Sequence, residues 1–327
     1  MTLQDLVRQC AARLHAAGLS YGHGTLNADD EAVWLVLWAL KLPVDDADVL
    51  HLHAQRSVLD SEQTTVADLL QQRIHKRQPL AYLTGEAWLQ GVPFDVDARV
   101  IVPRSLIAEP LVDGTLDSWL SAETQNVLDL CTGNGSLAVL AALTWPEVSV
   151  LGTDLSAEAL AVAQRNIERH GLQHRIRLAQ GDGLAAAPGR WDLILCNPPY
   201  VTTRAMAQLP PEFRAEPALA LAGGADGMDF IRKLVNQAAE YLSPHGLLVL
   251  EVGHERAHFE DSFRRLDVVW LPTSAGDDQV LVLDHSTLLA QQRRAARAAR
   301  VLPAASAAGL PSPSQPGTPP HSAPKTP

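Results

Sequence analysis

Cysteine is scarce: Cys10, Cys131 and Cys196 are the three in 327 residues, and they stand at no paired spacing. That argues against a disulfide framework and against a cysteine-ligated zinc site. The twelve histidines are scattered, with His51 and His53 the nearest pair. Without Cys or carboxylate partners at ligand spacing, no metal site is expected. Long apolar runs are missing too. The longest, Ala32 to Leu40, has nine residues, too few to span a membrane. No signal peptide is evident, so no membrane partner is expected and the expected location is cytoplasmic. Positive charge is in short supply, with 26 Lys and Arg against 37 Asp and Glu for a net charge of −11. Such a balance disfavours a protein that grips long nucleic acid, and no stable nucleic-acid binding is expected. Nucleotide-binding signatures are incomplete. There is no G-K-[ST] loop, and Ala138 replaces the third glycine of a G-x-G-x-x-G. No internal repeat is present.

What the chain does have is Trp191-Asp192-Leu193-Ile194-Leu195-Cys196-Asn197-Pro198-Pro199-Tyr200. A short apolar strand runs into an amide, two prolines and an aromatic. The Asn197 side-chain oxygen can accept a hydrogen bond from a planar amino group, and a backbone carbonyl beside it can accept a second. Pro198 and Pro199 fix φ and donate no N–H, so the turn is stiff and its carbonyls stay free. The Tyr200 ring can stack on a flat amide or base. Alone, the tetrapeptide reads equally well as an ordinary strand-ending turn. Its surroundings decide.

Upstream, a strand from Asn126 enters Asp129-Leu130-Cys131-Thr132-Gly133-Asn134-Gly135 and then the apolar helix Leu137 to Leu143. Glycines at such a turn let backbone approach a ligand, and the N–H groups that open the helix are left to bind it. A second strand, Val148 to Thr153, ends at Asp154, placed to accept ribose hydroxyls. Ser156 is the expected N-cap of a helix from Ala157 to His170, with Gly171 as its stop. A third strand, Arg175 to Leu178, leads to Asp182, whose carboxylate suits an adenine amino group. The fourth delivers Asn197. Three polar side chains thus stand at the carboxyl ends of successive strands, the crevice where open α/β sheets hold ligands.

This succession resembles the class I S-adenosylmethionine-dependent methyltransferases, α/β proteins with a Rossmann-like seven-stranded sheet, here with a small N-terminal helical domain. More narrowly it resembles the protein-(glutamine-N5) methyltransferases. The likeness covers residues 1 to about 288 and rests on Val102 to Ser105, Asp129 to Gly135, Asn197 to Tyr200, Leu209 to Pro217, Gly223 to Gly227 and Leu250 to Gly253. Enzymes of this family that modify release factors usually follow Pro-Arg with Pro-Asp/Glu-Thr-Glu. Here Pro103-Arg104 is followed by Ser105-Leu106-Ile107-Ala108-Glu109, which, with Cys131-Thr132-Gly133, looks like the branch acting on large-subunit ribosomal protein L3.

The resemblance implies S-adenosylmethionine as cofactor, held by Asp129, Cys131, Thr132, Gly133, Asn134, Gly135, Asp154, Asp182 and Asn197. It implies catalysis at Asn197, Pro198, Pro199 and Tyr200, substrate contacts from Arg104 and Glu216, and L3 as the protein partner. One departure is Gly183, where some relatives carry an aromatic that flanks the adenine, so other residues must wall that pocket or leave it looser. Release factors are an alternative substrate. So is an exocyclic base amine in RNA or DNA, because enzymes of that kind share the tetrapeptide. A scaffold that kept the fold and lost activity is a further alternative, against which the intact tetrapeptide argues.

Residues 1–85 read as a helical substrate-recognition domain. Leu3, Leu6, Val7, Cys10 and Leu14 keep helical spacing, as do Val66, Leu69, Leu70 and Ile74. Arg73, His75, Lys76 and Arg77 are expected on a solvated helix face. Residues 86–104, with Gly91-Val92-Pro93, suggest a β-hairpin linker, and residues 105–288 the catalytic domain. A loop of about 25 residues after Tyr200 is expected to form a substrate-facing lid, since loops of that length are usually functional or disordered. Phe230 to Leu242 should be a helix and Leu247 to Val252 a strand, with Trp270 and Val280 to Leu283 in a terminal antiparallel pair. Residues 289–327 are assigned to a disordered tail, rich in Pro, Ala and Ser from Pro303 onward.

Overall fold

The computed structural model describes residues 1–44, 46 and 48–301. Helices α1 (Leu3–Ala16), α2 (Ala28–Ala39), α3 (Val49–His53), α4 (Asp60–Lys76) and α5 (Leu80–Thr84) come first. A hairpin of β1 (Glu86–Leu89) and β2 (Val92–Asp95) and a short α6 (Ala108–Val112) follow. Then β3 (Asn126–Leu130), α7 (Ser136–Thr144), β4 (Ser149–Asp154), α8 (Ala157–Arg169), β5 (Ile176–Gln180) and β6 (Trp191–Cys196) alternate. Beyond β6 lie β7 (Val201–Thr202), α9 (Thr203–Met206), α10 (Pro211–Arg214), β8 (Ala222–Gly224) and α11 (Asp229–Gln237). The chain continues with β9 (Leu242–Glu251), α12 (Arg256–Ser262), β10 (Val269–Thr273), β11 (Gly276–Asp284) and α13 (His285–Val301).

The main sheet has seven strands in the order β10-β11-β9-β6-β3-β4-β5. β5, β4, β3, β6 and β9 run parallel, while β11 is antiparallel to β9 and to β10. From β3 the chain winds outward through β4 to β5, then returns to the other side of β3 with β6. That reversal is the switch point at which α/β sheets open a crevice. Register brings Leu130 level with Cys196 on one side and Thr153 on the other. The three strand ends that precede the Cys131 loop, Asp154 and Asn197 therefore meet at one height.

Local signals account for the joints. In the hairpin, Gln90 and Gly91 both take positive φ, the backbone of a type I′ turn that matches strand twist. β2 is clamped to α8, where the Asn166 amide donates to the Asp95 carbonyl and accepts from the Asp95 N–H. α2, apolar on nearly every face after its acidic first turn, has Ala32, Leu35, Val36 and Leu37 buried. Its hydrophobic cluster continues through Val96, Val100 and Val102 to Ala159 and Val162 of α8.

Three expectations need correction. Arg73 is not on a solvated face: it is fully buried, its Nε donating to Glu31 at 2.8 Å with Glu212 3.5 Å from Nη1. Helical spacing marks a face, but not the buried carboxylates it will meet. Residues 201–224 are not an irregular loop. They form β7, α9, α10 and β8, with Glu212 and Glu216 buried. Arg77 adds a contact to Glu212 at 3.0 Å, anchoring α10 on the end of α4. Residues 289–301 continue α13, with Leu289 packed on the core and Arg294 donating to the Arg265 carbonyl at 2.6 Å. The rest of the tail assignment lies outside the described residues.

The Arg73 cluster has a testable cost. Arg73→Met should destabilise the protein by about 3–5 kcal/mol, because Glu31 and Glu212 lose a buried partner. The deficit should shrink below pH 5, where those carboxylates can take up protons. Urea unfolding at pH 7.5 and 4.5 measures both, and a loss under about 1 kcal/mol at pH 7.5 would contradict the reading.

Candidate active site

The carboxyl ends of β3, β4, β5 and β6 open into one cavity. Asp129, Cys131, Thr132, Gly133, Asn134, Asp154, Asp182, Asn197, Pro199 and Arg104 all line it. The loop after β3 is held by the acidic residues around it. Asp129 Oδ2 accepts from the Thr132 hydroxyl at 2.5 Å and from Ala138 N at 3.0 Å. Asp154 accepts from Gly133 N at 2.9 Å and from Ser156 N at 2.8 Å. Gly133 takes φ +56 and has no atom within 4 Å of where a Cβ would stand, so no protein atom covers that side of its Cα. Cys131 holds a left-handed φ of +62 without being glycine.

These carboxylates are short of positive charge. Burial pushes the Asp129 carboxyl up to about 7 against the pull of Thr132 and Ala138. Burial raises Asp154 as well. The Nδ2 of Asn134, a residue 3 % exposed, has no partner. A cationic ligand with polar edges would relieve both strains, and S-adenosylmethionine fits that description.

The Asn197 amide opens on the cavity, and among the described residues no group hydrogen-bonds to it. Tyr200 is fastened from behind. Its hydroxyl donates to Glu251 Oε1 at 3.0 Å, while Glu251 Oε2 accepts from the Ser105 hydroxyl at 2.7 Å and Leu106 N at 2.9 Å. Burial raises both Glu251 and Tyr200, so the phenol stays neutral. Three glycines seat the turn. A Cβ on Gly223 would lie 2.7 Å from Tyr200 Cα and 2.8 Å from the Pro199 carbonyl, one on Gly227 would strike the Tyr200 carbonyl, and one on Gly253 the Tyr200 ring.

Some expected site residues do not line this cavity. Gly135 does not line the cavity. A Cβ there would sit 3.1 Å from that of Ala163, so this glycine lets α7 approach α8. Pro198 and Tyr200 are also off the lining. Glu216 does not line the cavity. It is buried, accepting from Val102 N at 3.0 Å and from Arg104 at 2.5 and 2.8 Å, with His23 3.6 Å away. Burial alone would raise its carboxyl, but His23 and Arg104 outweigh this and bring it down to about 2. Arg104 still reaches the cavity, with its guanidinium 5.6 Å from the Phe213 ring centre. Sequence reading passed over Leu155, Leu219 and Phe230, which also line the cavity. Leu155 directly follows Asp154, a position that could have drawn notice.

A sheet of this order, with acidic side chains beyond three successive parallel strands, is the frame of a class I S-adenosylmethionine-dependent methyltransferase. A family model described as methyltransferase small domain matches residues 115–269. Relatives named ribosomal protein uL3 glutamine methyltransferase match almost end to end. That of Bordetella pertussis is 52 % identical over 88 % of this chain and 96 % of its own length. Those of Burkholderia pseudomallei and Neisseria gonorrhoeae are 48 % and 42 % identical, over 88 % and 89 % of this chain and 95 % and 97 % of theirs. The chain belongs to the family of ribosomal protein uL3 glutamine methyltransferases.

Asp129 makes stability depend on pH. Its folded-state carboxyl titrates above the unfolded value, so the folded protein holds an extra proton between about pH 4 and pH 7, and the stability fully present below pH 4 is lost as pH rises through about 7. Asp129→Asn should therefore raise the melting temperature of the ligand-free protein at pH 8 and leave it unchanged at pH 4.5. Equal shifts at both pH values in thermal melts would contradict the assignment.

Proposed function

We propose that this enzyme transfers a methyl group from S-adenosylmethionine to the side-chain nitrogen of a glutamine in ribosomal protein uL3. The observation that carries this is the unpaired Asn197 amide at the end of β6, facing the cavity beside Asp129 and Asp154. The relatives' shared name points to uL3 as the protein. Action on a ribosomal protein fits a cytoplasmic enzyme, and the described residues contain no helix long and apolar enough to cross a membrane. A basic ribosomal protein would be drawn to a chain of charge −11. The helical residues 1–85 are the surface we assign to its recognition.

When bound, the cofactor supplies an electrophilic methyl on a sulfonium. Asp129, Asp154 and Asp182 would hold it, with Gly133 and the start of α7 against it. A glutamine amide is a weak nucleophile because its lone pair is delocalised, so the enzyme's task is placement. Asn197 Oδ1 and the Pro198 carbonyl would each accept one N–H, which fixes the amide and accommodates positive charge as it develops on nitrogen. Tyr200, held by Glu251 and Gly253, would pack against the amide plane. Its hydroxyl is committed to Glu251 and cannot act as the base. The nitrogen sheds its proton more readily once methylated, so no strong base is needed.

Methyl-label transfer to purified uL3, the class I release factors and stripped ribosomal RNA tests the substrate. Label is expected on uL3 at one glutamine, and label on RNA alone would overturn the reading. Asn197→Ala should lower kcat about 10²–10³-fold with cofactor affinity within a few-fold of wild type. Equal losses in both would remove the role given to Asn197.

A further inference from the structure

The cavity has an aromatic wall that the sequence does not announce. Beyond β5, next to Asp182, Gly183 takes φ +56. A Cβ built there would lie 3.7 Å from Cε2 and 3.9 Å from Cζ of Phe230. The Phe230 ring therefore packs, at van der Waals distance, beside the point from which a side chain at 183 would start. The ring comes from the first turn of α11, a helix fixed by buried Ile231, Leu234 and Val235. It lines the cavity together with Asp182 and Gly183, and it also lines a second groove with Lys233, Gln237 and Tyr241. The ring is thus the partition between the two spaces. Leu155, just after Asp154, lines the same cavity while 50 % exposed, an apolar surface left uncovered by protein.

A flat apolar face, a second apolar side chain and a carboxylate without a hydrogen bond among the described residues make a complementary set. They suit a heteroaromatic ring with an amino edge. We propose that Phe230 is the stacking wall for the adenine of the cofactor, taking from α11 the role that a side chain after Asp182 could have filled. Leu155 adds apolar surface from the β4 side and Asp182 meets the amino edge. The assignment rests on the S-adenosylmethionine reading above and adds the residue that holds the base.

Calorimetric titration with S-adenosylhomocysteine tests it on the full chain. Phe230→Ala should weaken binding about tenfold, the scale of a base–aromatic stack, whereas Phe230→Tyr should stay within about threefold of wild type. Inhibition by 5′-methylthioadenosine, which keeps the base, should weaken in parallel, and KM for uL3 should not move. Phe230→Leu serves where the alanine variant fails to fold, because it keeps bulk in the helix packing and loses the ring. The assignment is overturned by a folded Phe230→Ala or Phe230→Leu variant that binds within twofold of wild type, or by equal losses in the tyrosine and alanine variants. A wild-type chain that binds no S-adenosylhomocysteine would instead overturn the cofactor reading, and this assignment with it.

Discussion

Glu212 and Glu216 are buried carboxylates on adjacent turns of one segment, and neither can be left without a cation. Glu216 meets Arg104, 112 residues earlier in the chain, and Glu212 meets Arg73, 139 residues earlier. These pairings leave the segment after the catalytic turn little freedom. It must sit where α4, the segment around Val102 and the cavity converge. The unit expected to recognise protein and the rim of the cavity therefore both bear on the Glu212 to Glu216 segment. Motion of α4 would be felt by Arg104 through α10. His23 and Phe213, with ring centres 4.2 Å apart, fill the space between the two ion pairs.

The second constraint is close backbone packing. Asn197 can be aimed only if the Pro198-Pro199-Tyr200 turn behind it is immobile, and the prolines stiffen it internally. The outside is fixed by Gly223, Gly227 and Gly253, each close enough to the turn that a methyl group would displace it. β7 and β8 pair in parallel across the same region, with Val201 opposite Ala222. Glu251 completes the frame by taking the Tyr200 hydroxyl on one oxygen and the Ser105 hydroxyl on the other. The stretches Gly223 to Gly227 and Leu250 to Gly253 carried the family resemblance, and their geometry shows what they do. They are the seat of the turn, with no side chain aimed at a ligand from their glycines.

What could be read in advance was local. Apolar runs of strand length with polar residues at their ends located β3, β4, β5 and β6, and so the Asp129, Asp154, Asp182 and Asn197 cluster. The helical spacing of Leu3 to Leu14 located α1 in the same way. What escaped depends on contacts far apart in sequence. Arg73 reads as one more charge on an amphipathic helix until Glu31 and Glu212 close over it. Residues 201–224 read as a loop because Pro, Ala and Gly carry no period, yet two buried ion pairs and a short strand pair order them. Gly135 reads as a ligand-facing glycine, although the helix crossing behind it is what requires it. Phe230 opens a helix that was expected, and no periodicity says that its ring turns toward β5.

The protonation states around Asn197 indicate how the chemistry is divided. Burial holds the Tyr200 phenol and the Cys196 thiol neutral, and both oxygens of Glu251 are occupied. None of these groups offers a free basic lone pair to the attacking nitrogen. The acidic residues are instead on the cofactor side, where Asp129 and Asp154 resist ionisation because no cation is near enough to offset their burial. Such carboxylates discriminate by charge. Under the proposed reading they would favour a sulfonium over the thioether left after transfer, which carries one positive charge fewer. The site thus separates two tasks that a single charged group would confuse. Under that reading neutral, rigid acceptors would orient the amide, and the acidic cavity would select the charged form of the donor.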